Sequence, residues 1–322
     1  MSSTRIRSHV VLAGGTGFLG DVLARALTAR GVPVVVLTRR PRPARGLVRF
    51  IPWDGRTVGD WRSELEGAAA VINLAGRSVD CRYGPANRRR ILESRVDSTR
   101  ALGEAIAACA LPPATWINSS SATIYRHALD RPMDEPTGEL GSGFSVDVCR
   151  AWEKALFEAA VPRTRRVALR TALVMGRDGG PFPVLARLAR FGLGGTFASG
   201  EQYVSWIHEE DFAAAVLHVL DTPGLEGPVN VAAPDPRPNA EFMRTLRHAL
   251  GVRIGLPSAR WMLEVGAFLL RTETELVLKS RRVVPTRLLA SGFRFRYTTI
   301  EEALPDLARL DDRERCAALS PP

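Results

Sequence analysis

The chain has 322 residues, 45% of them hydrophobic and 24% charged, which excludes a mainly disordered protein and leaves room for one large α/β core with a smaller lobe. The formal net charge is +10. The basic residues nonetheless stand in short pairs (Arg39-Arg40, Arg165-Arg166, Arg281-Arg282) and one triplet (Arg88-Arg89-Arg90), without the long aromatic-interleaved stripe of a nucleic-acid surface. The excess therefore suits attraction of anionic small molecules better than DNA or RNA binding.

Val10-Val11-Leu12-Ala13 predicts a short buried strand, and Gly14-Gly15-Thr16-Gly17-Phe18-Leu19-Gly20 a glycine turn opening a helix from Gly20 to Ala29. Strand, GxxGxxG and helix in that order predict dinucleotide binding. Gly14 takes the tight turn, Gly17 admits a pyrophosphate, Gly20 lets the helix pack on the strand, and free N–H groups at the helix start face the phosphates.

Val34 to Thr38 reads as the second strand. An NAD-selecting fold places an acidic residue about 20 positions beyond the glycine turn, for the ribose 2′-hydroxyl. Here that neighbourhood is Thr38-Arg39-Arg40. A guanidinium fork suits a 2′-phosphate, so NADP is expected ahead of NAD. The alternative is a pair of ordinary solvated arginines after a strand.

Val48 to Pro52 predicts a third strand, with the turn Trp53-Asp54-Gly55 beside the adenine. Ala69 to Gly76 predicts a fourth, whose end, Asn73-Leu74-Ala75-Gly76, has small residues that let backbone pass a dinucleotide. The spacing of Ile91, Leu92, Val96, Leu102 and Ile106 predicts a long helix over Ala86 to Cys109. Trp116-Ile117 then leads into Asn118-Ser119-Ser120-Ser121-Ala122-Thr123-Ile124-Tyr125, a fifth strand polar at the end where doubly wound sheets carry their chemistry.

The glycine turn, Asn-Leu-Ala-Gly, Ser-Ser-Ser-Ala-Thr-Ile-Tyr and Arg170-Thr171-Ala172-Leu173-Val174-Met175-Gly176 together resemble the extended short-chain dehydrogenase/reductases, the group of sugar-nucleotide epimerases. Cys149-Arg150-Ala151-Trp152-Glu153, Tyr203 to His208 and Pro285 to Phe293 resemble, more narrowly, its atypical epimerase-family proteins with a DUF1731-like C-terminal segment. The resemblance implies a Rossmann-type doubly wound parallel sheet over residues 9–176, rejoined by 202–232, with a smaller substrate lobe from 177–201 and 233–310 and a tail at 311–322. It also implies cofactor contacts from Ser119, Ser120, Arg170 and Leu173, an NADP-dependent oxidoreductase or epimerase activity on a small carbonyl or hydroxyl substrate, and dimerisation through the long helices, while Arg95 stands where the group often has asparagine and is expected to meet the cofactor or an anionic substrate group.

The active site departs from that family. Its members use a Ser–Tyr–Lys triad, in which Tyr and Lys stand four apart on one helix so that both enter the cleft. No YxxxK occurs in this chain: the residues four beyond Tyr83, Tyr125, Tyr203 and Tyr297 are Asn87, Leu129, Ile207 and Glu301. Alignment on the helix ending at Trp152-Glu153 puts Ser145 at the tyrosine position and Cys149 at the lysine position, with Ser121 as the triad serine. A serine hydroxyl cannot replace a lysine-lowered phenol near neutral pH, because the phenol's reference pKa is already about 10 and serine lies far above it. Tyr125, Cys149 and His208 are the candidate proton carriers, and Ser121 the oxygen-binding donor. For Cys149 the alternative is a small buried residue filling the space of a lost lysine. A catalytically silent NADP sensor is the rival function.

Beyond Gly176, glycine loops frame a short helix from Val184 to Phe191, Asp211 to Leu220 predicts a helix, and Val229 to Ala232 returns to the sheet. Asn239 is expected to cap a helix over Ala240 to Leu250, and Thr299 to Glu302 to form a capping box. Cys81, Cys109, Cys149 and Cys316 have no CxxC spacing, and His9, His127, His208, His218 and His248 form no ligand cluster. A reduced cytoplasmic protein without disulfides or metal is expected. Neither a signal peptide nor a membrane span is expected, since the most apolar stretch, Trp261 to Leu270, is short and carries Glu264.

Overall fold

A computed structural model describes residues 8–259 and 278–309. The stretch 261–270, Cys316 and the tail 311–322 lie outside the described residues.

Seven parallel strands form the central sheet in the order β10-β6-β5-β4-β1-β2-β3. They are β1 (Val10–Ala13), β2 (Val34–Thr38), β3 (Val48–Pro52), β4 (Ala70–Asn73), β5 (Thr115–Ser121), β6 (Arg165–Thr171) and β10 (Gly227–Val231). Central strands of such a sheet are covered on both faces, which is why β1, β2 and β4 are continuous buried runs rather than alternating ones. Alternation survives as a choice of core. Val10 and Leu12 enter the cluster under α1 (Phe18–Ala29) and α5 (Glu209–Asp221), while Val11 and Ala13 enter the one under α2 (Pro85–Ala107) and α3 (Phe144–Phe157). β3 closes the edge, and none of its residues is fully buried.

The strand order reverses between β1 and β4, so a crevice opens at their C-terminal ends. Here Gly14 lies at φ 75°, its N–H bonds Leu37 O at 2.8 Å, and a Cβ would come 2.7 Å from Ala75 Cα. The two loops bordering the crevice are thus in backbone contact, and the Leu74 N–H reaches Ala13 O at 2.8 Å.

Past β6 the chain builds a smaller unit. β7 (Leu173–Met175) pairs with β9 (Trp206–His208), and β8 (Tyr203–Val204) with β11 (Arg237–Pro238). α4 (Phe182–Leu188), α6 (Asn239–Ala249) and α8 (Ile300–Ala308) enclose Trp206, Phe242, Met243, Leu246, Ile300 and Leu304. α7 (Thr286–Ala290) packs on β10. Before α7 a strap over residues 280–284 is held from both sides. Ser280 Oγ donates to Ala128 O at 2.6 Å, Ser205 Oγ donates to Arg281 O at 2.6 Å, and the Val283 N–H reaches Ser205 Oγ at 2.8 Å.

Several expected boundaries are corrected. α1 begins at Phe18 rather than Gly20, and a Cβ on Gly20 would collide with the backbone of Gly15 in the turn rather than with β1. α4 begins at Phe182 rather than Val184. Asn239 does not cap α6: it lies inside the helix, and its Oδ1 accepts from the Phe197 N–H at 2.8 Å, because a buried loop donor competes for the same oxygen. The capping box on α8 is formed, with Glu302 Oε2 accepting from the Thr299 N–H at 3.2 Å.

Candidate active site

Gly17 is the N-cap of α1 and supplies no side-chain cap, so the first N–H groups of the helix are left without a capping side chain among the described residues. A Cβ built on Gly17 meets no atom within 4 Å. Uncapped donors facing open space at a switch point fit a pyrophosphate. Gly15 and Gly20 are buried by the turn's own packing, Thr16 is half-buried, Leu19 packs against the core, and the Phe18 ring lies against Gly176 and Gly179. Any contact from Phe18 or Leu19 to a cofactor therefore falls to the backbone.

At the end of β2 the Thr38 hydroxyl accepts from the Arg40 N–H at 3.2 Å, which fixes the start of the following loop. Arg39 and Arg40 are exposed, and neither forms an ion pair with a carboxylate among the described residues. Trp53 is buried instead against Trp61, ring centroids 5.1 Å apart, and turns its indole N–H to Thr57 O.

Across the crevice, Asn73 is wholly buried; its Oδ1 accepts from the Ala75 N–H at 3.0 Å and its Nδ2 donates to Asn118 Oδ1 at 2.7 Å. Its side chain shapes the Leu74-Ala75-Gly76 turn from below, and only the turn backbone faces the crevice. Arg95 on α2 closes this side. Its Nη1 donates to Arg77 O and Ile91 O at 3.1 and 3.0 Å, its Cζ sits 5.1 Å from the Trp152 ring centroid, and a Cβ on Gly76 would lie 3.2 Å from that Cζ. Desolvation lowers the pKa of this guanidinium.

The end of β5 carries Ser121, whose Oγ accepts from the Thr123 N–H at 3.2 Å and donates to Thr123 Oγ1 at 3.1 Å. α3 packs on this turn through Cys149, Val146, Ala122 and Tyr125. Cys149 packs against Ala122, the residue after Ser121, and its charge is felt by Arg95; Ser145 lies one helical turn before Cys149 on α3.

The other two proton-carrier candidates are not brought to that place. Tyr125 is fully buried; its hydroxyl donates to Asn230 Oδ1 at 2.9 Å and accepts from Arg170 Nη1 at 3.0 Å, and burial raises its pKa despite the neighbouring Arg170. His208 caps α5, its Nδ1 accepting from the Glu210 N–H at 3.1 Å, with its ring 4.1 Å from that of Tyr297 and its Nε2 3.4 Å from Asp306 on α8. Burial lowers the pKa of this imidazole. Cys149 is close to Arg95, but burial and Glu153 push its thiol up to about 12 against the pull of Arg95, Arg281 and Arg170, so it is protonated at neutral pH.

Arg170 and Ser120 turn away from the cleft. Arg170 makes a bidentate pair with Glu153 at 2.9 and 2.8 Å, and Ser120 Oγ donates to Glu153 Oε1 at 2.7 Å. Ser119 is half-buried and offers its carbonyl to Asn118 Nδ2, while Leu173 is 39% exposed at the start of β7. Glu153 and Asn230 are central to this network, and neither had been singled out as functional. The available signal was an acidic residue within the apolar face of a helix, facing an arginine in a buried strand. Cys81, Cys109 and Cys149 are free thiols, and the described residues contain no cluster of His, Cys, Asp or Glu able to hold a metal. No helix among them is long and apolar enough to cross a membrane.

The family model described as NAD dependent epimerase/dehydratase family matches residues 10–232, and a domain of unknown function, DUF1731, matches residues 259–307. The epimerase family protein SDR39U1 of Bos taurus is 35% identical over 307 residues, covering 93% of this chain and 99% of that protein. The crystal structure of human epimerase family protein SDR39U1 (isoform2) with NADPH superposes with a TM-score of 0.83 at 31% identity, covering 93% of this chain and 99% of that one. The UDP-N-acetylglucosamine 4-epimerase from Bacillus cereus, at 18% identity and a TM-score of 0.71 over 94% of this chain and 95% of that one, shares the fold.

Proposed function

This chain belongs to the NAD dependent epimerase/dehydratase family, and from that premise we propose that it is an NADP-dependent oxidoreductase or epimerase-like enzyme acting on a small carbonyl or hydroxyl compound in the cytoplasm. The observation that carries the reading is the shape of the crevice. Uncapped helix donors face open space at Gly17, and two arginines without carboxylate partners among the described residues follow β2 where an NAD-selecting fold would hold an acid. NADPH bound to the human relative supports the choice of dinucleotide.

The cofactor would be held by the backbone from Thr16 to Leu19, by Arg39 and Arg40 at the 2′-phosphate, and by the Leu74-Ala75-Gly76 turn. When bound it supplies a hydride or accepts one. The chain's own part is to place the substrate oxygen at the Ser121 hydroxyl, which donates a hydrogen bond to it. Without a Tyr–Lys pair, the proton would come from solvent, with the Ser121 hydroxyl hydrogen-bonding the substrate oxygen and the buried Cys149 thiol staying protonated. The same reading carries a homodimer through α2 and α3, whose outward faces bear both signs of charge at Arg89, Glu93, Arg100, Asp147 and Lys154.

Calorimetric titration with NADPH and NADH tests the cofactor. Wild type should prefer NADPH by about tenfold or more, since a charge-assisted hydrogen bond contributes about 1.5–3 kcal/mol. The double substitution Arg39→Gln, Arg40→Gln should abolish the preference; equal weak binding of both nucleotides by wild type overturns the reading. A second reading, a silent NADP sensor, is favoured by the high pKa of Cys149 and the full engagement of Tyr125. Exchange of label from C4-deuterated NADPH into carbonyl compounds separates the two: exchange supports the enzyme, and tight binding without exchange supports the sensor.

A further inference from the structure

Among the described residues, no carboxylate pairs with the arginine at the wall of the cleft. Arg95 is anchored through one nitrogen to two carbonyls and lies over Trp152, yet none of the described residues offers it a carboxylate. The buried acid on α3, Glu153, has both oxygens occupied by Arg170. A desolvated cation with only neutral acceptors is costly unless something else neutralises it.

The cofactor does not supply that group in the proposed function. Its anionic parts are the pyrophosphate and the 2′-phosphate, which fall to the α1 N-terminus and to Arg39 and Arg40. Arg95 lies on the far side, beside the helix that carries Ser145 and Cys149, where the nicotinamide end of the dinucleotide goes; that ring is uncharged when reduced and cationic when oxidised. The rim has the same sign as Arg95. Arg77, Arg82, Arg88, Arg89 and Arg90 are all exposed on the loop and first turn leading from β4 into α2, with Asp80 the acid among them.

We propose that this wall is an oxyanion subsite: the substrate carries a carboxylate or phosphate group, and Arg95 binds it at the Ser121 end of the cleft. The subsite rests on the NADP-dependent reading of the cleft. A guanidinium fork suits both kinds of oxyanion, and the exposed arginines of the rim draw anions toward it. The group bound at Arg95 also sets which substrate carbon lies over the nicotinamide.

The test uses the full chain saturated with NADP, so that the cofactor's own phosphate sites are filled. It is titrated by calorimetry with malonate, with inorganic phosphate, and with malonamide as the uncharged counterpart of malonate. Malonate or phosphate should bind saturably at one site, the tighter of the two identifying the kind of oxyanion, and malonamide should not. Arg95→Gln should weaken that binding at least about tenfold, and Arg95→Lys, which keeps the charge, should recover part of it. Absence of saturable binding of both anions, equal binding of malonamide, or unchanged affinity in Arg95→Gln overturns the proposal. If Arg95→Gln does not fold, the malonate–malonamide contrast in wild type and the Arg95→Lys titration still decide it. If NADP itself does not bind, the cofactor reading fails alone, and Arg95-dependent anion binding to the cofactor-free chain still upholds the subsite.

Discussion

A side chain at Gly14 is rejected twice, by a φ of 75° and by Ala75 Cα 2.7 Å away, whereas Gly17, with φ −99°, has nothing within 4 Å to reject one. The two glycines of one turn therefore serve different ends, folding and binding. Gly14→Ala should destabilise the protein by about 1–3 kcal/mol or more, the cost of a left-handed non-glycine residue plus the collision. Gly17→Ala should leave thermal unfolding nearly unchanged and weaken NADPH binding at least about tenfold. Thermal melts beside calorimetric titrations check both; a Gly17→Ala protein that binds NADPH as wild type does would show that the space is not ligand space.

At the scale of elements, the buried network joining β5, α3, β6 and β10 is where polar groups hold the active-site end of the sheet together. Arg170 and Glu153 pair at 2.8 Å with side-chain exposures of 7% and 10%, and Tyr125 bridges Arg170 to Asn230. Removing one partner leaves the other charge stranded, so Glu153→Gln should cost about 3–5 kcal/mol in denaturant titrations. Tyr125→Phe should cost about 1–3 kcal/mol and leave NADPH affinity unaltered. An effect of Tyr125→Phe on labelled-hydride exchange without loss of stability would return the phenol to the chemistry. Most of the elements were legible in the sequence, because doubly covered strands such as Val34 to Thr38 and punctuation such as Pro112-Pro113 leave strong local marks. The glycine turn and the absent Tyr–Lys pair were legible for the same reason, being patterns of short range. What side chains do at the sheet's end was not. Tyr125, Arg170 and Ser120 look cofactor-facing by position, but their orientation is decided by Glu153 and Asn230, partners distant in sequence. Asn239 was misread as a cap because its competitor, the Phe197 N–H, comes from another loop.

For the whole molecule, the join between the sheet and the smaller unit titrates. His208 caps α5 and meets Asp306 and Tyr297 of the C-terminal segment, and burial holds its pKa below the usual value of about 6.5. The unfolded chain then takes up the proton first as pH falls. The contribution of His208 is full above about pH 6.5 and is lost as pH drops toward the folded value. Glu135 and Asp211, raised by burial, act in the opposite sense: their contribution is full below about pH 4 and is lost as pH rises through their folded values. The melting temperature should fall between about pH 7 and pH 5.5, and His208→Asn, which keeps a capping oxygen, should flatten that slope. An unchanged slope in the variant would assign the acid sensitivity elsewhere. The contact between Phe18 and the loop after β7 has a different kind of consequence. An ordinary side chain at Gly176 or Gly179 would collide with the Phe18 ring, so the nucleotide turn and the entrance to the smaller unit are a single inherited object. A graft of one without the other would bring a side chain onto that ring, so the two segments are expected to be exchangeable only as a pair.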